Sequence, residues 1–369
     1  MKRYSVAIIG AGPAGLFAAS ALKKKNNSFV IIDTSRESVG GLALYGGIKI
    51  GLLPAGERTA SIVGKKEYQL LSQKFILKYK KYFSQLLENR ILNFPQNLQN
   101  KYYNSYILEG NILEILKKKS LSTLSNYFLY HTVVKIDKTN NATYHLVFNN
   151  GEEIYCDKLI VASGRSKEVN NLLGNIGQKY HEDKKCLVGC RATFESSNSA
   201  KIFEHQHDFK LKAHTGFQNY CFNHRGYLHK LSYCGYNYYS GSLDLNSKTG
   251  NTFVGKKILI NNNDIYKYLE SNLVINYSDL KHADFFKSDK NYKDDLIAFL
   301  KYFENDYNVL FHKLFFPALE QFWPAPRINY QTFESEYLPK VFFIGDASGV
   351  SFGVLQCYIT ANHVVNEIT

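Results

Sequence analysis

The sequence predicts an α/β protein with a mostly parallel sheet, an antiparallel β-meander and an inserted strand-rich region. Three observations predict this fold. The N-terminal segment alternates strand, helix and strand around a glycine-rich turn. The apolar period changes to two from about Tyr127 onwards, as in half-buried strands. A short apolar strand, Val341–Ile344, ends in Gly345-Asp346 close to the last residue.

The N-terminal segment SVAIIGAGPAGLFAASALKKKNNSFVIIDTS has the order of a nucleotide-binding βαβ unit. Val6–Ile9 predicts a buried strand, and Phe29–Ile32 predicts a second one. Between them, Gly10, Gly12 and Gly15 form G-x-G-x-x-G, and apolar residues then recur at helical spacing. The strand, turn, helix and strand therefore follow one another in the expected order.

Each part of this unit has a physical role in binding a dinucleotide. Gly10 permits a tight turn, Gly12 lets the backbone approach a pyrophosphate, and Gly15 lets helix and strand pack closely. The helix N-terminus offers free N–H groups and the positive end of its dipole to phosphates. Asp33, at the end of the second strand, can accept a hydrogen bond from a ribose hydroxyl. The unit predicts a dinucleotide site and leaves NAD and FAD both open.

Strands that end in small residues recur far apart in the chain. Leu159–Ala162 runs into Ser163-Gly164, and Val341–Ile344 runs into Gly345-Asp346. Distant strands of this kind commonly join one parallel sheet, whose ligands bind outside the carboxyl ends of the strands. We therefore expect these two ends to meet the glycine turn at one site.

The remaining segments predict alternating helical and strand regions. Asn150-Gly151 is a strong hairpin signal between two strands of the meander. From about Lys184 the chain is strand-rich again, and we expect a separate sheet there. Helical patterns are expected at Ser61–Asn89, Ile107–Lys119, Asp264–Leu273 and Tyr292–Phe303.

Composition narrows the classes of function. The 369 residues carry a net charge of +13, but the lysine clusters are scattered and no nucleic-acid-binding motif accompanies them. We expect the charge to serve an anionic substrate rather than a nucleic acid. No apolar run approaches the roughly 18 residues that span a bilayer, and no signal peptide is evident, so a cytoplasmic protein is expected. Cys186 and Cys190 lie roughly 13 Å apart along a strand, too far for a disulfide.

Together, the glycine-rich unit, the Ser163-Gly164 strand end and the Gly345-Asp346 strand end resemble the glutathione-reductase-like FAD-binding superfamily. In that superfamily the three segments converge on one FAD, and the last helix points its N-terminus at the flavin. The resemblance implies a Rossmann-like FAD-binding domain from residues 1–180 and 332–369, with an inserted substrate domain from residues 181–331. The implied FAD contacts are Gly10, Gly12, Pro13, Ala14, Gly15, Asp33, Thr34, Ser35, Gly41, Leu42, Val134, Ser163, Gly164, Gly345, Asp346, Gly353 and Val354.

A narrower resemblance is carried by GGLALYGGIKI, LVGCRATFE, NYCFNHRGYLHKL and VFFIGDASGVSFGVLQC. In this order they resemble a bacterial family of NAD(FAD)-utilising dehydrogenases. That family has Ser and Asp before Gly-Lys, where this chain has Gly46, Gly47 and Ile48 before Lys49. A family carboxylate near Pro326 is also missing, so the substrate is expected to differ.

The flavin carries the electron chemistry in such enzymes, so protein side chains orient the substrate and adjust charge. Lysine near a flavin stabilises an anionic reduced form, tyrosine and histidine donate protons, and arginine clamps carboxylates or phosphates. Cys221 is a candidate thiolate or substrate neighbour, and the alternative interpretation is a buried, inert cysteine in a strand. His224 is a further proton-donor candidate. The catalytic candidates are Lys49, Tyr45, Arg191 and Cys221, and the substrate-binding candidates are Arg165 and Arg327.

The resemblance implies an FAD-dependent oxidoreductase that moves a hydride between non-covalently bound flavin and a small organic substrate, with an anionic substrate suiting the positive charge. No second G-x-G-x-x-G is present, so no separate NAD(P)H domain is expected. NAD(P)H as a transient reductant and the substrate itself as the hydride donor both stay open. GDASG lacks the histidine and proline typical of aromatic hydroxylases. A flavin monooxygenase and a prenyl-lipid reductase-like enzyme remain alternatives, and an RNA-binding or non-catalytic flavoprotein is the alternative of a different class.

Overall fold

A computed structural model describes residues 2–41, 49–87, 99–101, 105–108, 112–139, 143–195, 210–233, 235–244, 246–261, 265–270, 272–285, 291–320 and 324–369. The helices within these ranges are α1 (Pro13–Lys24), α2 (Glu57–Val63), α3 (Lys65–Tyr79), α4 (Ile112–Leu124), α5 (Lys167–Asn175), α6 (Ile265–Leu269), α7 (Tyr292–Tyr307) and α8 (Val354–Ile368). The strands are β1 (Lys2–Ile9), β2 (Phe29–Asp33), β3 (Lys49–Gly51), β4 (Phe83–Leu87), β5 (Gln99–Lys101), β6 (Ser105–Leu108), β7 (Phe128–Tyr130), β8 (Val133–Lys138), β9 (Tyr144–Phe148), β10 (Glu153–Val161), β11 (Asp183–Glu195), β12 (Lys210–Lys212), β13 (Phe217–Asn223), β14 (Gly226–Tyr233), β15 (Tyr236–Leu243), β16 (Thr249–Asn261), β17 (Leu273–Asn276), β18 (Phe311–Glu320) and β19 (Val341–Phe343). None of these helices is long and apolar enough to cross a membrane.

The chain forms two compact units. Unit 1 comprises Met1–Ser84, Leu108–His181 and Trp323–Thr369, and unit 2 comprises Gln85–Ile107 and Glu182–Phe322. Unit 1 resumes at Trp323. Backbone hydrogen bonds tie this returning segment to the rest of unit 1, because the Arg327 N–H donates to the Lys179 carbonyl at 3.0 Å. Within the segment, the Asn329 N–H donates to the Glu334 carbonyl at 2.8 Å.

Unit 1 is built on one mixed sheet. Strands β7, β2, β1, β10 and β19 lie parallel in that order, and β9 and β8 extend the sheet as an antiparallel meander. The central strands are runs of Val, Ile and Leu that are buried on both faces, as parallel sheets require. Full burial of a side chain such as Ile8 or Ile31 stabilises the fold by about 1.5–3 kcal/mol.

Helices α1, α3 and α8 pack against one another through aromatic side chains. The ring centroid of Phe17 on α1 lies 5.3 Å from that of Tyr358 on α8 and 6.1 Å from that of Phe75 on α3. Helix α1 starts with Pro13, whose fixed φ suits the first helical position, and it buries Leu16 and Leu22. These contacts hold the N-termini of α1 and α8 in one layer of unit 1.

Unit 2 contains a seven-stranded sheet in the order β17-β18-β11-β16-β13-β12-β5. Helix α7 covers one face, where Phe217 and Phe222 on β13 meet Phe299 and Phe303 on the helix at centroid distances of 6.2 and 6.1 Å. Strands β14 and β15 form a separate two-stranded hairpin. Cys186 and Cys190 on β11 do not form a disulfide with each other.

The predicted pattern of helices and strands is confirmed in its main elements, with three corrections. The helix expected at Ser61–Asn89 ends at Tyr79 and is followed by strand β4. The helix expected at Asp264–Leu273 ends at Leu269, and Leu273 begins β17. Strand β18 was missed because it contains Pro317, which lacks an N–H; the β11–β18 register shifts at this point, as expected for a bulge.

Candidate functional site

The carboxyl ends of the central parallel strands meet at one edge of the unit 1 sheet. The Gly10 N–H donates to the Ile32 carbonyl at 2.8 Å, and the Ala162 N–H donates to the Ile9 carbonyl at 2.8 Å. The Ile344 N–H donates to the Val161 carbonyl at 3.0 Å. The ends of β2, β1, β10 and β19 are thereby joined side by side, as the sequence predicted.

The glycine turn after β1 packs tightly in two places. Gly10 has φ of +103°, and a Cβ there would lie 2.5 Å from the Ala162 carbonyl oxygen. A Cβ on Gly15 would lie 1.9 Å from the Gly10 carbonyl oxygen. By contrast, a Cβ on Gly12 would meet no described atom within 4 Å. The glycine turn is therefore packed closely against backbone atoms at Gly10 and Gly15, and no described atom fills the space beside Gly12.

Asp33 holds the turn through its carboxylate. Its Oδ2 accepts a hydrogen bond from the Ala11 N–H at 2.6 Å, and its Oδ1 accepts one from the Thr34 N–H at 2.8 Å and another from the Ser38 hydroxyl. The Ser35 N–H in turn donates to the Ser38 Oγ at 3.3 Å. The contribution of Ser38 was not predicted, since no motif marks a serine in this loop.

The segment that follows returns to the glycine turn. The Gly40 N–H donates to the Ala11 carbonyl at 2.9 Å. Gly41 has φ of +55°, and a Cβ there would lie 3.4 Å from the Gly12 Cα. Gly41 therefore borders the open side of the turn. Leu42 and Tyr45, two other predicted site residues, lie outside the described residues.

Replacing Asp33 with Ala should destabilise the protein by about 1–3 kcal/mol, because the part-buried Ala11 N–H loses its acceptor. It should also weaken FAD retention, which equilibrium dialysis measures. Ser38→Ala removes only one of the hydrogen bonds that Asp33 accepts and should have a smaller effect on both quantities. If Asp33→Ala and Ser38→Ala lowered stability and FAD retention equally, the Asp33 carboxylate would not be the group that stabilises the glycine turn.

The other two strand ends contribute Ser163, Gly164 and Asp346. The Ser163 Oγ is buried and makes no hydrogen bond to any residue that the structure describes. Gly164 has φ of +62° and open space at its Cβ position. The Arg165 Nε lies 3.5 Å from the Asp346 Oδ2, with side-chain exposures of 19% and 27%. Arg165, predicted as a substrate clamp, thus lies beside a predicted cofactor residue.

The last strand end leads into α8 through a short turn, Gly345–Ser348. A Cβ on Gly345 would lie 2.8 Å from the Ala14 Cβ, so the end of β19 lies against the start of α1. The nearby Cys357 thiol was not singled out by the sequence. Burial, together with the charge of Asp346, raises the pKa of Cys357, so it is a neutral thiol at neutral pH.

Helix α8 begins where the sequence predicted it, after Gly353 with φ of +103°. Its predicted apolar face is buried, including Val354 and Tyr358. The Gln356 side chain fixes the first turn of the helix, because its Nε2 donates to the Tyr68 hydroxyl at 3.0 Å. Thr59 and Ser351 add a hydroxyl contact at 3.2 Å.

Three further predicted residues, Val134, Lys49 and Arg327, belong to unit 1. Val134 is 48% exposed at an irregularity of β8, four residues after Tyr130, which pairs with Asp33. Lys49 begins β3, but its side chain lies outside the described residues. Arg327 is exposed on unit 1, with its Nη1 3.5 Å from the Tyr337 hydroxyl.

The remaining candidates belong to unit 2. Arg191, on β11, is 1% exposed. Cys221 lies on β13 with φ of +48°, within an irregular stretch of the β13–β16 pairing. His224 is buried one residue after β13.

His229 of unit 2 provides a pH prediction. Burial and the charge of Arg191 lower the pKa of His229 from its ordinary value of 6.5. The unfolded chain therefore binds the proton more readily, and stability should fall as the pH drops below about 6.5. The unfolding midpoint of His229→Gln should fall less over that range. Parallel midpoint-against-pH curves for the two proteins would rule out this contribution.

The residues at the sheet edge fit a bound dinucleotide. Gly12 leaves open space at the start of α1, and the buried Ser163 hydroxyl has an unused hydrogen-bonding capacity among the described residues. Neither α1 nor α8 has a side-chain cap or an acidic residue in its first turn. Uncapped helix N-termini attract phosphate and other negative charge. These features agree with the chemistry of an FAD pyrophosphate.

The chain is similar to a known protein family and to several solved structures. The family model described as pyridine nucleotide-disulphide oxidoreductase matches residues 4–202. Among solved structures, CtdE in complex with FAD and substrate 4 is 12% identical over 100% of this chain and 84% of its own, with a TM-score of 0.45. P. aeruginosa PqsL in complex with 2-aminobenzoylacetate is 12% identical over 100% of this chain and 86% of its own, with a TM-score of 0.44. No curated protein sequence matches the chain.

The family match covers more than half of the chain, so the chain belongs to the pyridine nucleotide-disulphide oxidoreductase family. It is an FAD-dependent oxidoreductase with a Rossmann-like FAD-binding fold and an additional antiparallel sheet.

Proposed function

We propose that this enzyme transfers a hydride between bound FAD and a small, anionic organic substrate. We also propose that it belongs to the bacterial NAD(FAD)-utilising dehydrogenases that its motifs resemble. The meeting of Gly10, Ser163 and Gly345 at one edge of the unit 1 sheet is the observation that carries the proposal. Residues from three distant parts of the chain are placed where one dinucleotide can contact all of them.

The proposed cofactor contacts follow from this placement. The open backbone at Gly12 and the first N–H groups of α1 bind the pyrophosphate. Asp33 fixes the turn and accepts from a ribose hydroxyl, and Val134 contacts the adenine through its backbone. The Ser163 hydroxyl supplies a further hydrogen bond. The remaining contacts are those implied by the sequence: Pro13, Ala14, Gly15, Thr34, Ser35, Gly41, Leu42, Gly164, Gly345, Asp346, Gly353 and Val354.

A bound FAD supplies the group that accepts or donates the hydride. The chain contributes electrostatic stabilisation through the N-terminus of α8, which carries no acidic residue in its first turn. A helix N-terminus is equivalent to roughly half a positive charge, so it favours the negative form of the reduced cofactor. Gln356 holds this helix end through its hydrogen bond to Tyr68. The proposed catalytic side chains remain those from the sequence, which are Lys49, Tyr45, Arg191 and Cys221.

Arg165 receives a different proposed role from the one that the sequence suggested. Its 3.5 Å ion pair with Asp346 places a positive charge at the cofactor edge. There it offsets the carboxylate of Asp346, which would otherwise repel the pyrophosphate. We therefore assign Arg165 to cofactor binding. Arg327 stays the candidate for a contact with the substrate.

Replacing Arg165 with Met should lower FAD affinity about tenfold, which corresponds to about 1.4 kcal/mol. The loss should be smaller for Arg165→Lys, which keeps the charge. Arg3→Met is a matched control, since Arg3 forms an exposed ion pair with Asp157 at 2.6 Å. Exposed ion pairs of this kind contribute about 0–1 kcal/mol to stability. Because Arg3 is not one of the proposed cofactor contacts, FAD affinity should not change in Arg3→Met. The same affinity in Arg165→Met and Arg3→Met would refute the assignment.

Anaerobic titration with NADH and NADPH tests the proposed reaction. The absorbance spectrum of the purified protein should show flavin bands, and one reduced nicotinamide should bleach them stoichiometrically. A flavin that stays oxidised with both nicotinamides and with reduced organic acids would argue against hydride transfer. Oxygen consumption coupled to a hydroxylated product would favour a monooxygenase. Salt-sensitive heparin retention with co-purified RNA, without flavin reduction, would favour a non-catalytic flavoprotein.

A further inference from the structure

Helix α3 of unit 1 carries two leucines on the side that faces solvent. The buried side chains of this helix are Tyr68, Leu71, Phe75 and Tyr79. In contrast, Leu77 is 73% exposed and Leu70 is 50% exposed. An α-helix has 3.6 residues per turn, so the two leucines lie opposite the buried side and roughly 10 Å apart along the helix axis. Exposed apolar side chains gain free energy when a partner removes them from water.

Exposed lysines alternate with the leucines on the same side of α3. Lys66 lies four residues before Leu70, and Lys74 lies four residues after it. Lys78 is four residues further along the helix than Lys74. Residues three or four apart are neighbours on the surface of a helix. We call the group formed by Lys66, Leu70, Lys74, Leu77 and Lys78 the α3 face.

The α3 face keeps the positive charge of its lysines. Between Lys65 and Tyr79 the sequence contains one acidic residue, Glu67. The Glu67 Oε1 lies 3.0 Å from the Nδ1 of His363 on α8, so this carboxylate already has a partner. The surface that α3 presents to solvent is therefore both apolar and cationic.

Lysines from two neighbouring helices add to this positive charge. Partial burial, followed by the charges of Lys24 on α1 and Lys119 on α4, lowers the pKa of Lys78 from its ordinary value. The Lys78 Nζ also lies 5.0 Å from the centre of the Tyr79 ring, at the C-terminal end of α3. Ammonium groups from three helices of unit 1 are thereby close enough to repel one another. An anionic partner placed against them relieves this repulsion.

We propose that unit 1 binds the surface of an anionic lipid bilayer through the α3 face, with Lys24 and Lys119 beside it. Helix α3 lies along the membrane surface and does not cross it. Leu70 and Leu77 enter the boundary between the headgroups and the acyl chains. The lysines lay their apolar stems along this boundary and extend their ammonium groups to the lipid phosphates.

The composition of the α3 face favours a bilayer over other anionic or apolar partners. A nucleic acid would use the lysines, but its bases stack on aromatic side chains and would leave Leu70 and Leu77 in water. The same face of a second copy of the chain would bring lysines against lysines, which repel. An anionic bilayer accommodates both the leucines and the lysines. This inference does not depend on which reaction the flavin performs.

Co-sedimentation of the FAD-loaded, full-length protein with lipid vesicles tests the electrostatic part of the proposal. The protein should bind vesicles that contain phosphatidylserine, and binding to vesicles of phosphatidylcholine alone should be about tenfold weaker or less detectable still. Binding to the anionic vesicles should fall as the salt concentration rises. The double variant Lys74→Gln and Lys78→Gln should lose about tenfold or more in affinity. A matched control removes Lys179 and Lys301, which are exposed elsewhere, and should lose much less.

The leucines provide the test that separates membrane insertion from attraction by charge alone. The double variant Leu70→Gln and Leu77→Gln keeps every lysine and should bind phosphatidylserine vesicles about tenfold more weakly. Leu259→Gln is the matched control, because Leu259 is 66% exposed on β16 and lies outside the α3 face. Its vesicle affinity should equal that of the wild type. The unfolding midpoint should not fall in any of these variants, since each changed side chain faces solvent.

Three results would overturn the proposal. The first is a wild-type protein that does not sediment with phosphatidylserine vesicles at low salt. The second is a variant lacking Leu70 and Leu77 that binds these vesicles as tightly as the wild type, because charge alone would then explain the binding. The third is single-stranded RNA that binds the wild type and displaces it from the vesicles, with an RNA affinity that the leucine substitutions leave unchanged. Flavin absorbance of the same samples reports separately on the cofactor site.

Discussion

Replacing Gly15 with Ala should destabilise the protein by about 3 kcal/mol and abolish FAD retention. The added Cβ would lie 1.9 Å from the Gly10 carbonyl oxygen and 3.1 Å from its carbon. Neither atom belongs to a flexible side chain, so α1 must move away from β1. Overpacking of this kind costs about 1–3 kcal/mol and occasionally more, and a rigid backbone contact belongs at the upper end. Thermal unfolding and equilibrium dialysis with FAD measure the two effects.

The control for this substitution is Gly174→Ala in α5. Gly174 lies inside a helix, and a Cβ there would meet no described atom within 4 Å. Alanine is favoured over glycine in a helix interior by roughly 1 kcal/mol, so stability should be unchanged or higher. FAD retention should be unaffected. If Gly15→Ala behaved like Gly174→Ala, the close approach of α1 to the glycine turn would be wrong.

Replacing Gly12 with Ala should leave the stability of the fold intact and weaken FAD binding, whereas Gly15→Ala should lower both. Gly12 has φ of −68° and ψ of −178°, which any residue adopts, and its Cβ position is open. The apo protein should therefore gain up to about 1 kcal/mol from the stiffer unfolded chain. A methyl group on the open side of the turn would meet the pyrophosphate. FAD affinity should fall about tenfold or more, equivalent to at least about 1.4 kcal/mol.

The comparison of Gly12→Ala with Gly15→Ala separates cofactor contact from packing. Calorimetric unfolding of the apo proteins should rank Gly12→Ala at or above the wild type and Gly15→Ala well below it. Titration of FAD into apo Gly12→Ala should show weak binding by a folded protein. Wild-type FAD affinity in Gly12→Ala would mean that the open side of the turn does not face the cofactor.

The sheet edge could be predicted from the sequence because its signals are local. Gly10, Ser163 and Gly345 each follow an apolar strand, and strands of this kind join in a parallel sheet through general rules of topology. The last helix was found in the same way, from Gly353 and the helical spacing after it. These elements depend on backbone geometry, which short patterns specify well.

Other features of the site depend on contacts between distant side chains. No pattern in the sequence pairs Arg165 with Asp346, and the sequence predicted a substrate-binding role for Arg165. Ser38 and Cys357 lie beside the site without any motif. Strand β18 could not be predicted for a different reason. Pro317 is unfavourable in a strand, and the structure accommodates it through a local bulge.

Reconstitution of the purified protein with excess FAD, followed by dialysis and absorbance measurement, tests the central claim most directly. The wild type should retain one FAD per chain, and Gly12→Ala and Asp33→Ala should retain much less while remaining folded. A folded wild-type protein that retains no flavin under these conditions would contradict the shared cofactor site at the edge of the unit 1 sheet.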